Sequence, residues 1–318
     1  MIIGIEKACD ILKQANKILI ISHKKPDGDT IGSAFSLYYS LLQLGKKARI
    51  ECSDPFAPKY SYFTGGYVEY DFTPDLIVAV DLADVALFGG KTEKYADKID
   101  LCIDHHPSNS MYAKNTLLKA DAASTTELMW ELIKAMGVAP DKNIANAVFT
   151  GLTTDTGCFR YSNATAQSHI CAAEAIVCGA ESALINRLMF ETKSYERINA
   201  ERRIMDTLEY FFDNHCAVIT ISCETVEQTG VAEDELDGIS ALPRQIEGVW
   251  AGVTLREKKD GSYKISLRTT DELDASAICA VFGGGGHKRA AGCVINGDGS
   301  EVKKKITDAV KQAIDKII

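Results

Sequence analysis

The chain has 318 residues, 46% hydrophobic and 25% charged, with 44 acidic against 35 basic side chains and a formal net charge of −9. That length exceeds what one core usually fills, so two domains are expected, and the negative balance excludes a protein held to long nucleic acid by bulk charge. Ten cysteines lie mostly in apolar stretches and form no C-x-x-C pair, which sets aside a zinc framework and a disulfide scaffold.

The opening segment, "MIIGIEKACDILKQANK", carries Glu6 and Asp10 and lacks a basic leader. No run approaches the ~20 apolar residues of a bilayer span. A cytoplasmic protein without membrane contact is expected. Within that segment, apolar residues at helical spacing predict a first helix. "ILIISH" (18–23) is a short β-branched run and predicts a buried strand. "TIGSAFSLYYSLLQLGKK" predicts a helix closed by Gly45, and "ARIECS" a second strand. "DLIVAVDLAD" (75–84) and "IDLCIDHH" (99–106) are apolar strands that end in acid or histidine. "STTELMWELIKAMG" (124–137) opens on Ser124, with Glu127 at the capping-box distance, and stops at Gly137. "DKNIANAVFTGLTTDTG" and "TAQSHICAAEAIVCGA" predict two more helices.

Strands alternating with helices give an α/β fold, here a doubly wound parallel sheet over residues 1–190. From 191 to 214 the chain is highly charged with a thin apolar stripe, which predicts one exposed linking helix. Residues 215–318 predict a smaller α/β domain with a mixed sheet. "HCAVITIS" and "VWAGVTLREKKDGSYKISLRT" read as antiparallel strands, the latter turning at Asp260-Gly261. "DASAICAVFGGGGHKRAAGCVI" reads as helix, glycine loop and strand, and "SEVKKKITDAVKQAIDKII" as a terminal amphipathic helix.

Ligands of doubly wound sheets sit beyond the carboxyl ends of the strands. His23, Asp27, Asp29, Asp81, Asp104, His105 and His106 all fall at or just after such ends. Taken singly, an Asp before Gly is usually a turn residue, and a His at a strand end usually makes an ordinary hydrogen bond. Taken together, so many carboxylates and imidazoles at one sheet edge would repel one another and lose hydration without a cation between them. Hard carboxylates with imidazole suit manganese, magnesium or cobalt. Asp81 has two oxygens and could bridge two ions, whereas Asp84 reads as a helix cap. Asp155 lies on a polar turn before Gly157, with Thr153 and Thr154 as local hydrogen-bonders. Arg160 meets a phosphate or pairs on the surface, with equal support for each. In the second domain, the glycines from Gly283 to Gly286 let backbone amides approach an anion. His287, Lys288, Arg289 and Arg268 add positive charge nearby.

"HKKPDGDTIGS", "VAVDLAD", "IDHHPSN" and "TGLTTDTGCFRYS" resemble the four ordered motifs of the DHH phosphoesterase superfamily. "KISLRT" and "FGGGGHKRAAGC" resemble its DHH-associated C-terminal domain. The resemblance covers nearly the whole chain, with no departure at a ligand position. It implies that His23, Asp27 and Asp81 hold one divalent cation and that Asp29, Asp81, His105 and Asp155 hold a second. Manganese is the expected ion, with magnesium or cobalt as alternatives. It further implies that His106 faces the substrate phosphate, that Asp104 orients a histidine, and that Arg268, Gly284, Gly285, Gly286 and His287 contact the substrate's nucleotide or distal phosphate. The layout is most similar to the standalone nanoRNase and 3′-phosphoadenosine 5′-phosphate (pAp) phosphatase group. Hydrolysis of short oligoribonucleotides from an end, of pAp, or of both is therefore the expected activity. Hydrolysis of cyclic di-AMP or pApA ranks second, an inorganic pyrophosphatase third, and a non-catalytic nucleotide sensor last. The expected partner is a short oligonucleotide or nucleotide, and the resemblance leaves a homodimer open.

Overall fold

The computed structural model describes residues 1–317 and divides the chain into two compact units that part between Thr192 and Lys193. The first unit opens with α1 (Ile5–Gln14), β1 (Lys17–Ile21), α2 (Gly28–Gln43) and β2 (Lys47–Glu51). It continues with a one-turn α3 (Ser61–Thr64), β3 (Leu76–Val80), β4 (Leu101–Asp104) and β5 (Asn115–Leu118). α4 (Thr125–Ala135), α5 (Lys142–Asp155), α6 (Ala166–Val177) and α7 (Ser182–Asn186) complete it. The five strands form one sheet in the order β2-β1-β3-β4-β5, every pair parallel.

Period-two alternation sorts the strand residues between the two faces. Ile18 and Ile20 join the large core under the helices, with Phe35, Tyr38 and Trp130. Leu19 and Ile21 face a smaller cluster with Phe88, Ile99 and Cys102, where short 3-10 turns such as Val85–Leu87 cover the sheet. α2 is buried on nearly every side, which explains why its sequence is apolar around most of its circumference. Gly45, at φ +74°, supplies the left-handed residue after its last turn. Asp84 caps Val85–Leu87 by accepting from the Ala86 amide at 2.8 Å.

The second unit contains α8 (Tyr195–Met205), β6 (Glu209–Phe211), β7 (Cys216–Ile221), α9 (Cys223–Thr229), β8 (Ala251–Glu257) and β9 (Ser262–Thr269). α10 (Ala275–Ala280), β10 (Gly285–His287), β11 (Ala290–Asn296) and α11 (Gly299–Ile314) follow. Its mixed sheet runs β10-β11-β9-β8-β7-β6. Three expectations change here. The segment 191–214 is not one exposed helix: α8 stops at Met205 and the chain turns into β6, while Ala200 and Ile204 are buried against Ile219, Ile221 and Leu236. β7 and β8 pair parallel rather than antiparallel, because the chain crosses over through α9 and 3-10 turns. The glycine run is partly strand: Gly285–His287 pairs with Ala290–Gly292 as a sheet edge. The turn at Asp260-Gly261 joins β8 to β9 as expected, with Gly261 at φ +80°. Among the described residues no single helix is long and apolar enough to cross a membrane.

Candidate metal centre

In the first sheet β1 has β2 on one side and β3 on the other, so the winding direction reverses there. This is the place where open α/β sheets leave a crevice beyond their carboxyl ends. His23 follows β1, Asp81 follows β3, and Asp104, His105 and His106 lie at the end of β4. α2 delivers its N-cap Asp27 and its first-turn Asp29, and α5 delivers its last residue, Asp155. α2 and α5 approach closely through glycine. A Cβ on Gly151 would lie 2.4 Å from the Thr126 methyl and 2.7 Å from Asp29 Oδ1.

The donor atoms fall into overlapping groups: His23, Asp27 and Asp81; Asp29, His105 and Asp155; and Asp81, His105 and His106. Asp81 joins them. Its Oδ2 lies 3.8 Å from His23 Nε2, and its Oδ1 lies 3.9 Å from His105 Nε2. The residue is almost fully buried and holds φ at +53°, a left-handed conformation that costs a non-glycine residue roughly 1–2 kcal/mol.

Of the three histidines in these groups, His23 and His105 present the same nitrogen. His23 Nδ1 lies 2.7 Å from the Lys24 carbonyl, and His105 Nδ1 lies 3.2 Å from the Ala122 carbonyl. Each Nδ1–H donates to its carbonyl, which leaves an Nε2 lone pair aimed at the carboxylates. His105 Nε2 is buried with no hydrogen-bond partner, 3.3 Å from Asp155 Oδ2 and 4.0 Å from Asp29 Oδ2. An orphaned buried acceptor among carboxylate oxygens is what a cation would satisfy.

The charges respond to this crowding. Burial, then repulsion from Asp29 and Asp27, holds the Asp81 carboxyl well above the usual range. The same causes push Asp155 up to about 9. Burial also raises Asp29, although its carboxylate accepts from the Thr125 and Thr126 amides at 2.6 and 2.9 Å. Asp104 behaves oppositely. Burial pulls it up, but hydrogen bonds from His106 and Asn109 overcome that and leave it below the usual range. His106 Nδ1 donates to Asp104 Oδ1 at 2.8 Å and Asn109 Nδ2 donates to Oδ2 at 2.6 Å. The Asp104 hydrogen bond raises the His106 pKa, so the imidazole holds its proton to higher pH.

Sequence reasoning missed Thr125, Thr126 and Asn109. The Thr125 hydroxyl donates to Asp81 Oδ1 at 2.8 Å, so the amino end of α4 steadies two carboxylates. Ser124 was visible as its cap, and the Ser124 hydroxyl does accept from the Glu127 amide. The direction in which that helix end points had no signal. Thr153 and Thr154 bond back to helix carbonyls, as local hydrogen-bonders should.

Arg160 and the candidates of the second unit belong to none of the donor groups. Arg160 is exposed; its Nε donates to the Gly157 carbonyl, and its guanidinium sits 5.9 Å from the Phe190 ring centre. In the second unit Arg268 faces Ala290, and Ala290 faces His287. One cross-strand row therefore carries Arg268 and His287 on the same side of the sheet. Gly284 and Gly286 pack where a Cβ would strike the β11 backbone. Arg289 pairs with Asp271 on the surface.

Residues 17–152 match the model of the DHH family, N-terminal domain, and residues 214–316 match the DHHA1 domain. A Bifunctional oligoribonuclease and PAP phosphatase NrnA from Thermus thermophilus is 32% identical, covering 93% of this chain and 90% of its own. The chain belongs to the DHH family. As a DHH protein it is a phosphoesterase, a hydrolase of phosphate esters. The enzyme of the same name from Bacillus subtilis is 24% identical, covering 87% of this chain and 89% of its own. The crystal structure of an exopolyphosphatase-related protein from Bacteroides fragilis superposes with a TM-score of 0.86 at 25% identity, covering 97% and 95% of the two chains. RecJ from Thermus thermophilus in complex with Mn2+ shares the fold of this DHH protein at a TM-score of 0.57 and 14% identity, covering 98% of this chain and 55% of RecJ.

Proposed function

We propose that this DHH phosphoesterase hydrolyses short oligoribonucleotides from an end, removes the 3′-phosphate of pAp, or does both, using water activated by two divalent cations. The observation that carries the reading is Asp81, whose two oxygens face two groups of donors, His23 with Asp27 and His105 with Asp29 and Asp155. The set holds carboxylates and imidazoles and no thiolate, which favours manganese, with magnesium or cobalt as substitutes. When bound, the cations supply a lowered pKa for water and charge stabilisation on the phosphoryl oxygens.

The chain's own residues do the rest. The Lys24 and Ala122 carbonyls fix the tautomers of His23 and His105. Thr125 and Thr126 hold Asp81 and Asp29 in place before any ligand arrives, which reduces reorganisation. His106, with Nδ1 committed to Asp104, has Nε2 free to donate a proton to the leaving oxygen. In the second unit, Arg268, His287 and the backbone at Gly285 and Gly286 take a nucleotide or distal phosphate; the Gly284 amide is not available for this, because it donates to the Cys279 carbonyl at 3.0 Å. Names of relatives carrying both oligoribonuclease and PAP phosphatase support this substrate class.

The test is phosphate release from pAp and cleavage of a ribodinucleotide with manganese present, beside cyclic di-AMP. Turnover of the first two that stops with chelator and in Asp81→Ala supports the reading. Faster turnover of cyclic di-AMP would reverse the substrate order, and activity surviving Asp81→Ala would refute the shared carboxylate.

A further inference from the structure

A second opening lies beside the metal centre at the edge of the same sheet. β1 and β2 run in register with Ile21 opposite Glu51, and the chain leaves both strands together. The Ser22 amide donates to the Glu51 carbonyl at 3.2 Å, and the Cys52 thiol donates to the His23 carbonyl at 3.3 Å. The Lys25 amide donates to Asp54 at 2.7 Å. The loop that carries His23 and Asp27 is therefore tied by hydrogen bonds to Cys52 and Asp54, which line a neighbouring cavity. That cavity holds about 500 Å³ and is lined by Cys52, Asp54, Phe56, Glu69, Lys91 and Lys94, among others. Its volume falls within the roughly 300–1,000 Å³ of small-ligand clefts. The metal centre uses none of these side chains.

The lining combines three kinds of chemistry. Phe56 is half-buried, edge-on to Phe35 with ring centres 5.4 Å apart, and offers an aromatic surface. Among the described residues nothing hydrogen-bonds to the exposed Glu69 carboxylate, which leaves a free acceptor. Lys91 brings an ammonium group to the same opening, whereas Lys94 lies 4.0 Å from the Glu51 carboxylate, which also lines it. A simple anion would have no use for the ring or the carboxylate, and an apolar ligand none for the charges. A nucleoside beside a phosphate uses all three: its base stacks, its ribose hydroxyls donate, and its phosphate meets an ammonium group.

We propose that this cavity seats the nucleoside adjoining the phosphate that is cut, with its base against Phe56 and a ribose hydroxyl donating to Glu69. The enzyme then favours ribonucleotides over deoxyribonucleotides. The proposal rests on the short-oligonucleotide reading above and adds to it the site and the sugar.

The test compares the wild type with Glu69→Ala and Phe56→Leu on a ribodinucleotide and its deoxy counterpart, with manganese. Cleavage of bis(p-nitrophenyl) phosphate, which has no nucleoside, reports in each variant whether the metal centre is intact. Glu69→Ala should raise KM for the ribodinucleotide about tenfold and narrow the ribose preference, as loss of one hydrogen bond predicts. Phe56→Leu should raise KM for both dinucleotides by about tenfold through lost stacking. Unchanged KM and ribose preference in both variants, with the nitrophenyl ester still cleaved, would overturn the seat. A wild type that cleaves only the nitrophenyl ester refutes the oligonucleotide reading instead. Calorimetric binding of AMP then decides the cavity: affinity lost in Glu69→Ala supports it, and equal or absent binding in wild type and variant overturns it.

Discussion

At the residue scale the centre is a set of carboxylates held against their own repulsion. Asp155, Asp81 and Asp29 all keep their protons to higher pH in the fold than in an unfolded chain, where a carboxyl titrates near 4. Between pH 4 and about 9 the folded state therefore binds more protons than the unfolded one, and stability must fall as pH rises through that window. His23 and His106, with raised pKa values, act in the same direction near neutrality. The metal-free protein should accordingly lose Tm from pH 5 to pH 9. Manganese should restore it, most at the alkaline end, where cation and proton no longer compete. Melting curves with and without chelator check this, and a metal-free Tm that climbs over the window would contradict the arrangement. A second prediction concerns Asp104, which touches His106 but belongs to none of the donor groups. Asp104→Asn should lower kcat about 10–100-fold and move the alkaline limb of the pH profile downward, with manganese affinity kept. A uniform loss with an unmoved profile would make Asp104 merely structural. Much at this scale could be read in advance, because a charged residue that ends an apolar strand has no packing reason to be there. Thr125 and Thr126 could not, since their amides act through a helix direction that sequence does not encode.

At the element scale the decisive contact is α2 against α5, which places Asp29 and Asp155 on one site. Gly151 in the middle of α5 makes that approach feasible. Replacing a mid-helix glycine by alanine ordinarily stabilises by about 1 kcal/mol. Here the new methyl would meet Thr126 and Asp29 Oδ1 at 2.4–2.7 Å, and overpacking costs about 1–3 kcal/mol. Gly151→Ala should lower Tm and weaken manganese binding together, measured by melting and by metal titration. A raised Tm would show that the helices have room to spare. Elements with a clear apolar period, such as α1, β1 and α11, were legible from the sequence. β6 was not, because three residues at a sheet edge carry too little pattern to interrupt a helical one. The parallel pairing of β7 with β8 was hidden because much of its crossover is 3-10 turn, which lacks the 3.6-residue period. β10 was hidden because glycine is depleted in strands, so a glycine run reads as loop.

For the whole molecule, the proposed function implies that charge sets the limit on substrate. The surface carries a net charge of −9, and a long polyanion approaching it gains no counterion-release advantage outside the places where cations concentrate. On the proposed reading those places are the metal centre, Arg268 with His287, and Lys91 at the β2 cavity, enough for a few phosphates only. Each further nucleotide therefore adds repulsion and chain entropy without adding contacts. In a timed digestion of labelled RNA, kcat/KM should fall about tenfold or more between two and twenty nucleotides, a difference worth ~1.4 kcal/mol. Added salt should weaken binding of the short substrates only gently, with a slope set by the few phosphates contacted. Rates that hold or rise with length, together with a steep salt slope, would mean that a continuous basic track exists, and the restriction to short substrates would have to be abandoned.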